Sequence, residues 1–129
     1  MSRKKFNVAI AGVTGAVGRE MLKVLERRKF PVNKLLPLAS SRSAGKRVRF
    51  NGKPITVCEL GEDSFGDIDI ALFSAGGGIS TQFAPAAVAA GCVVVDNSSA
   101  FRMEKNVPLV VPEINGADVR RNQGIIANP

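Results

Sequence analysis

The 129 residues include no histidine, tyrosine or tryptophan. Without histidine the chain has no imidazole base, no imidazole metal ligand and no Ser-His-Asp triad. Without tyrosine it cannot carry a Tyr/Lys proton relay. The only aromatics are seven Phe, which excludes a base-stacking surface of the single-strand-binding kind. Two cysteines, Cys58 and Cys92, form no Cys-x-x-Cys pair. Both read as small buried hydrophobes in a reducing compartment, with no catalytic role. No cluster suggests a metal site. No window approaches the roughly 18 apolar residues of a membrane helix. The basic start Met1-Ser2-Arg3-Lys4-Lys5 has no signal-type apolar core behind it, because Phe6–Ala11 is short and runs into a glycine loop. A cytoplasmic protein without a membrane segment is expected.

What is present suits a single globular domain over residues 1–129. The composition is 45% hydrophobic and 22% charged. A chain this long buries roughly two-thirds of its unfolded surface and needs no disulfide staple. Eighteen Lys and Arg against eleven Asp and Glu give +7. Such an excess serves either nucleic acid or a small ligand bearing phosphates or carboxylates. A phosphate-type loop near the N-terminus favours the small anion, and no nucleic-acid partner is expected.

Apolar runs alternate with amphipathic segments. Phe6–Ala11 reads as a strand buried on both faces. In residues 16–28, Val17, Met21, Val24 and Leu25 mark the apolar face of a helix that Pro31 closes. Residues 35–39 read as a strand, and 48–50 and 55–58 as a hairpin around Asn51-Gly52-Lys53. Residues 68–73 read as a strand. Residues 79–90 read as a helix, kinked or starting late at Pro85. Strands follow at 92–95, 109–111 and 124–127, with a brief helix at 116–121 capped by Asn115. This alternation predicts an α/β, doubly wound, mostly parallel sheet: a Rossmann-like dinucleotide-binding domain with a small β-hairpin insertion.

Three loops carry the chemistry. Gly12-Val13-Thr14-Gly15-Ala16-Val17-Gly18 joins the first strand to the first helix with G-x-x-G-x-x-G spacing. Gly12 allows the tight turn, Gly15 the approach of a pyrophosphate, and Gly18 close helix packing. The amides of Gly15, Ala16 and Val17 then face phosphate. The second strand ends in Ser40-Ser41-Arg42-Ser43, where NAD enzymes usually place an acid on the ribose. Hydroxyls and a guanidinium there suit a 2′-phosphate, so NADP is the expected cofactor. Lys46, Arg47, Arg49 and Lys53 read as a solvated hairpin face. Ser74-Ala75-Gly76 leaves room for a ring or ribose. Asn97 and Arg102, after a later strand, suit a substrate oxygen and an anion.

Residues 11–18, 40–45, 74–76, 97–102 and 111–115 and the ending Ile126-Ala127-Asn128-Pro129 occur in one order that resembles the N-terminal region of aspartate-β-semialdehyde dehydrogenases. The resemblance implies reversible, NADP-dependent conversion of β-aspartyl phosphate to aspartate semialdehyde and phosphate, on the route to lysine (through diaminopimelate), threonine, methionine and isoleucine. It assigns Gly12, Thr14, Gly15, Ala16 and Val17 to pyrophosphate. Ser40, Ser41, Arg42 and Ser43 go to the 2′-phosphate, and Ser74, Ala75 and Gly76 to the nicotinamide side. Asn97 and Arg102 are assigned to the substrate's phosphate or an anion in its place. The family's nucleophilic cysteine follows Asn-Pro by two residues, and its histidine and dimerisation domain lie further on. The expectation is therefore a fragment of a homodimeric enzyme, inactive alone. Two alternatives stay open: N-acetyl-γ-glutamyl-phosphate reductase, which shares the chemistry, and a non-catalytic NADP sensor. The loop Asn97-Ser98-Ser99-Ala100-Phe101-Arg102 favours the aspartate enzyme over the first.

Overall fold

A computed structural model of the chain describes residues 4–129. Strand β1 (Phe6–Ala11) leads through the glycine loop into helix α1 (Ala16–Arg27) and strand β2 (Val32–Ala39). A hairpin of β3 (Arg47–Phe50) and β4 (Lys53–Thr56) follows, then a two-residue strand β5 (Cys58–Glu59). Strand β6 (Ile70–Phe73), helix α2 (Gly77–Ala89) and strand β7 (Val93–Asp96) form the next unit. A single turn α3 (Pro112–Asn115), a 3-10 helix (Gly116–Arg121) and strand β8 (Ile125–Ala127) complete the order.

The main sheet has six strands in the order β5-β2-β1-β6-β7-β8, all parallel. Its first strand sits in the middle, and the connection reverses direction between β1 and β6. That is the doubly wound arrangement, with its switch point beside the glycine loop. Alternate residues of β1 face opposite ways. Val8 and Ile10 pack with Leu22 of α1, Leu35 and Phe50, while Ala9 and Ala11 pack with Phe65, Phe73, Ala84 and Ala87 on the α2 side. Small residues on the second face let α2 lie close to the sheet. Among the described residues no helix is long and apolar enough to cross a membrane.

Several expectations need correction. The line of α1 that is buried runs through Gly18 and Leu22, and Val17 is 45% exposed. Gly18 packs so close to the glycine loop that the helix turns this line, not Val17, onto the sheet. Pro31 does not end the helix. Lys29 takes φ 52°, and the Phe30 amide donates to the Leu25 carbonyl, closing the last turn one residue after Arg28. Strand β2 starts three residues before Leu35, with Val32 and Lys34 paired to β1 across a register shift at Asn33. Helix α2 starts at Gly77, ahead of the expected Ile79, and runs through Pro85, which lies on its exposed side. Cys58 is exposed, because the hairpin turns Val57 inward and leaves Cys58 outward on the edge strand β5. Residues 109–111 make only one bridge, Leu109 to Ala127. Asn115 does not cap the following turn. Its side chain bonds instead to the Val111 amide, the Leu109 carbonyl and the Asp118 carboxylate.

Candidate functional site

The glycine loop is held at both ends. The Gly12 and Val13 amides donate to the Leu38 carbonyl at 2.9 and 3.2 Å, and the Val13 side chain is fully buried. Gly12 has φ 89°, and a Cβ there would lie 3.0 Å from the Ala75 backbone. Only glycine lets the loops after β1 and β6 touch. A Cβ on Gly18 would strike the Gly12 carbonyl and lie 2.7 Å from Val13 Cα. Gly15 differs: its φ is −76°, and its Cβ would make only ordinary contact, 3.5 Å from the Gly12 carbonyl. Nothing in the chain demands glycine at position 15, so the space it leaves belongs to whatever approaches from outside.

The loop's amides divide in a way the sequence did not show. The Gly15 amide donates to the Gly12 carbonyl at 3.1 Å, so it is not free for an anion. The Ala16 and Val17 amides, in the first turn of α1, have no acceptor among the described residues. These two point an unsatisfied partial positive charge outward.

After β2, the Ser40 carbonyl accepts from the Ser43 and Ala44 amides at 2.9 and 3.0 Å, forming a tight turn. The turn exposes Ser40, Ser41 and Arg42 and half-buries Ser43. The Arg42 guanidinium has no partner among the described residues. After β6, the Ser74 hydroxyl donates to the Ala11 carbonyl at 3.2 Å and reaches the Gly12 carbonyl at 3.4 Å. Ser74 therefore ties the first and third loops together. Gly76, φ 95°, leads into α2.

Gly12, Thr14, Ser40, Ser41 and Ala75 line one cleft of about 460 Å³ at the carboxyl edge of the sheet. Besides Ala39 at the end of β2, its other walls are Glu59 of β5, Leu60 just after it, and Ile79, Gln82 and Phe83 of α2. Sequence reasoning missed these five. Glu59 could have been found only by pairing β5 with β2, where Glu59 lies beside Ala39. Gly15, Ala16, Val17, Arg42, Ser43, Ser74 and Gly76 flank the cleft in sequence without lining it.

Asn97 and Arg102 come together elsewhere. Arg102 Nε donates to the Asn128 carbonyl at 3.1 Å, and its Nη2 to the Asn97 carbonyl at 3.3 Å. Asn128 Nδ2 donates to Asn97 Oδ1 at 2.9 Å. The Asn128 Oδ1 atom is buried and has no partner among the described residues. Behind them Asp96 is fully buried. Its carboxylate accepts the Ser80 hydroxyl at 2.7 Å, the Ser98 hydroxyl at 2.8 Å and the Ser98 amide at 3.0 Å. It clamps the 97–102 loop to α2, a role with no signal in the sequence.

The Cys92 thiol is buried and donates to the Ile68 carbonyl at 3.2 Å. Burial, with the Asp69 charge, pushes its pKa up to about 11, so it is a neutral thiol at pH 7. Cys58 is exposed on β5, four strands from β7, or about 19 Å at ordinary strand spacing.

A parallel sheet in this order, a glycine loop at its switch point and a cleft along its carboxyl edge define a dinucleotide-binding domain of the doubly wound class. Residues 7–122 match the family model described as semialdehyde dehydrogenase, NAD binding domain, and the chain belongs to that family. It is 55% identical over 123 residues to aspartate-semialdehyde dehydrogenase of Bacillus subtilis, covering 95% of this chain and 36% of that protein. Among solved structures it is similar to aspartate semialdehyde dehydrogenase II of Vibrio cholerae complexed with ASA. There the TM-score is 0.94 at 53% identity, covering 98% of this chain and 42% of that one. It is also similar to the Candida albicans aspartate semialdehyde dehydrogenase with NADP, with a TM-score of 0.76 at 26% identity, over 95% and 42% of the two chains. The chain thus spans well under half the length of these relatives.

Proposed function

We propose that residues 1–129 form the NADP-binding domain of an aspartate-semialdehyde dehydrogenase, an enzyme interconverting β-aspartyl phosphate and aspartate semialdehyde. The observation that carries this reading is the shared cleft of Gly12, Thr14, Ser40, Ser41 and Ala75. The residues fit a dinucleotide: Gly15 leaves outward space, and the Ala16 and Val17 amides lack acceptors beside it. Those amides hold the pyrophosphate. Ser40, Ser41 and Ser43 donate to the 2′-phosphate, and Arg42 forks onto it. Ala75 and Gly76 leave room on the nicotinamide side, while Ser74 fixes that loop. Bound NADP supplies the hydride acceptor.

Asn97 and Arg102 hold the substrate's phosphate in this scheme. Arg102 uses two nitrogens on backbone carbonyls, which orients the remaining guanidinium edge for an anion. Neither Cys92, protonated and buried, nor Cys58, far across the sheet, suits nucleophilic attack beside them. The nucleophile and the acid/base come from the further length that the relatives have, as does the contact surface of a homodimer. We expect the 129-residue chain to bind cofactor and to form no NADPH from aspartate semialdehyde, NADP and phosphate in an absorbance assay. Turnover that survives removal of contaminants would overturn this.

Titration calorimetry tests the cofactor. Arg42→Ala is expected to weaken NADP by about 1–3 kcal/mol, as for a charged hydrogen bond, and to leave NAD unchanged. Equal losses sink the assignment. One observation favours NAD instead: Glu59 lines the same cleft beside Ser40, where a carboxylate would repel a 2′-phosphate. If NAD is the cofactor, the native chain binds NAD more tightly than NADP, and Glu59→Gln reverses the order.

A further inference from the structure

A second cleft, of about 560 Å³, lies between α1 and the β3–β4 hairpin and shares only Thr14 with the first. Five cations line it: Arg19 and Lys23 from one side of α1, and Lys46, Arg47 and Arg49 from the start of the hairpin. The single acid in its lining is Glu26, and its carboxylate is already engaged, accepting the Asn51 amide at 2.6 Å. Arg49 donates to the Gly52 carbonyl at 3.2 Å. The other four cations make no side-chain hydrogen bond or ion pair among the described residues. Read along the sequence, the hairpin's positive charges looked like a solvated face. They are exposed, as that reading has it, and the fold also sets them against a second positive row, with Glu26 the one carboxylate in the lining. Like charges brought together this way raise the local potential and favour an anion between them.

From this juxtaposition we infer that the α1–hairpin cleft is a second anion site, separate from the dinucleotide cleft, for a compact ligand bearing two or three linked phosphates. The volume is that of a small-molecule pocket, too small for a duplex groove. Leu22 and Val48 line it as well, but no aromatic does, so nothing is available for stacking nucleic-acid bases. Several closely spaced cations match a polyphosphate better than a single carboxylate. The site requires no particular cofactor in the first cleft.

Inorganic tripolyphosphate is the probe, titrated into the chain at 0.15 M salt by calorimetry and by amide NMR. The expected result is saturable binding of one equivalent, with shift changes confined to residues 19–26 and 46–52. Lys23→Glu with Arg47→Glu is expected to weaken it at least tenfold. A milder pair, Arg19→Gln with Lys46→Gln, should weaken it severalfold, and an unchanged amide spectrum elsewhere reports that each variant is folded. Arg42→Ala is expected to leave tripolyphosphate binding as it was. Shift changes centred on residues 12–17 and 40–43, or competition by NADP, would place the anion in the first cleft and overturn the inference. So would non-saturable binding, or binding within twofold of the parent in both folded variants.

Discussion

Three glycines within seven residues do three different jobs, and substitution separates them. At Gly18 a Cβ meets backbone, so Gly18→Ala is expected to lower stability by about 1–3 kcal/mol, read from urea midpoints. At Gly15 a Cβ makes only ordinary contact with the Gly12 carbonyl, so Gly15→Val is expected to unfold at nearly the parental midpoint yet lose dinucleotide binding in calorimetry. Retained binding by that folded variant would show the loop to be only a turn. The motif was legible in the sequence, but which amides it frees was not, because Gly15's bond to Gly12 depends on the turn's geometry. Cys92 makes a further residue-scale prediction. Its folded pKa, about 11, lies above the ordinary 9.0. The stability it lends is therefore whole below pH 9 and lost as pH rises through 11. The full loss is about 2–3 kcal/mol at 1.36 kcal/mol per pKa shift of one. Denaturation from pH 8 to 11 should show that decline in the parent and a shallower one in Cys92→Ala. Cys58 should alkylate rapidly in the folded chain and Cys92 only on unfolding.

At the scale of elements, the strong local signals held. Asn51-Gly52 forms the hairpin turn with both residues at positive φ, 51° and 79°, as that dipeptide predicts. Strand β1 and the first helix appear where the sequence placed them, and the Ala-rich helix begins two residues early. What failed rested on tertiary partners. Strand β5 is two residues long and exists because β2 offers an edge to pair with, which no local pattern encodes. The end of α1 is set by Lys29 adopting a left-handed conformation, which costs a side-chain-bearing residue about 1 kcal/mol. Lys29→Gly is therefore expected to raise stability by about that amount, measured by urea unfolding. Asp96 illustrates the same limit. An acid at the end of an apolar strand gave no sign of its role in the sequence, and it is a buried clamp. Asp96→Ala leaves the Ser98 amide and the Ser80 hydroxyl without their acceptor and is expected to cost about 2–4 kcal/mol.

For the molecule as a whole, the fold class followed from the alternation of strands and helices, and the dinucleotide cleft from three loops that the topology brings to one edge. The basic cleft did not, because two of its five cations belong to a helix whose outward side carried no pattern of its own. Sheet order has one more consequence. The strand nearest the N-terminus is the central one, flanked by β2 and β6. A chain emerging from the ribosome makes β1, α1 and β2 before β6 exists, so the first half of the sheet can pair while the second is still being translated. Growth then proceeds outward, from the middle to β8, and each newly made strand after β6 docks on an edge already waiting. Ribosome-stalled chains in which Ala39 has cleared the exit tunnel while β6 remains inside it are thus expected to protect β1 and β2 amides from hydrogen exchange, whereas a sheet in which β1 paired only with later strands would leave them bare.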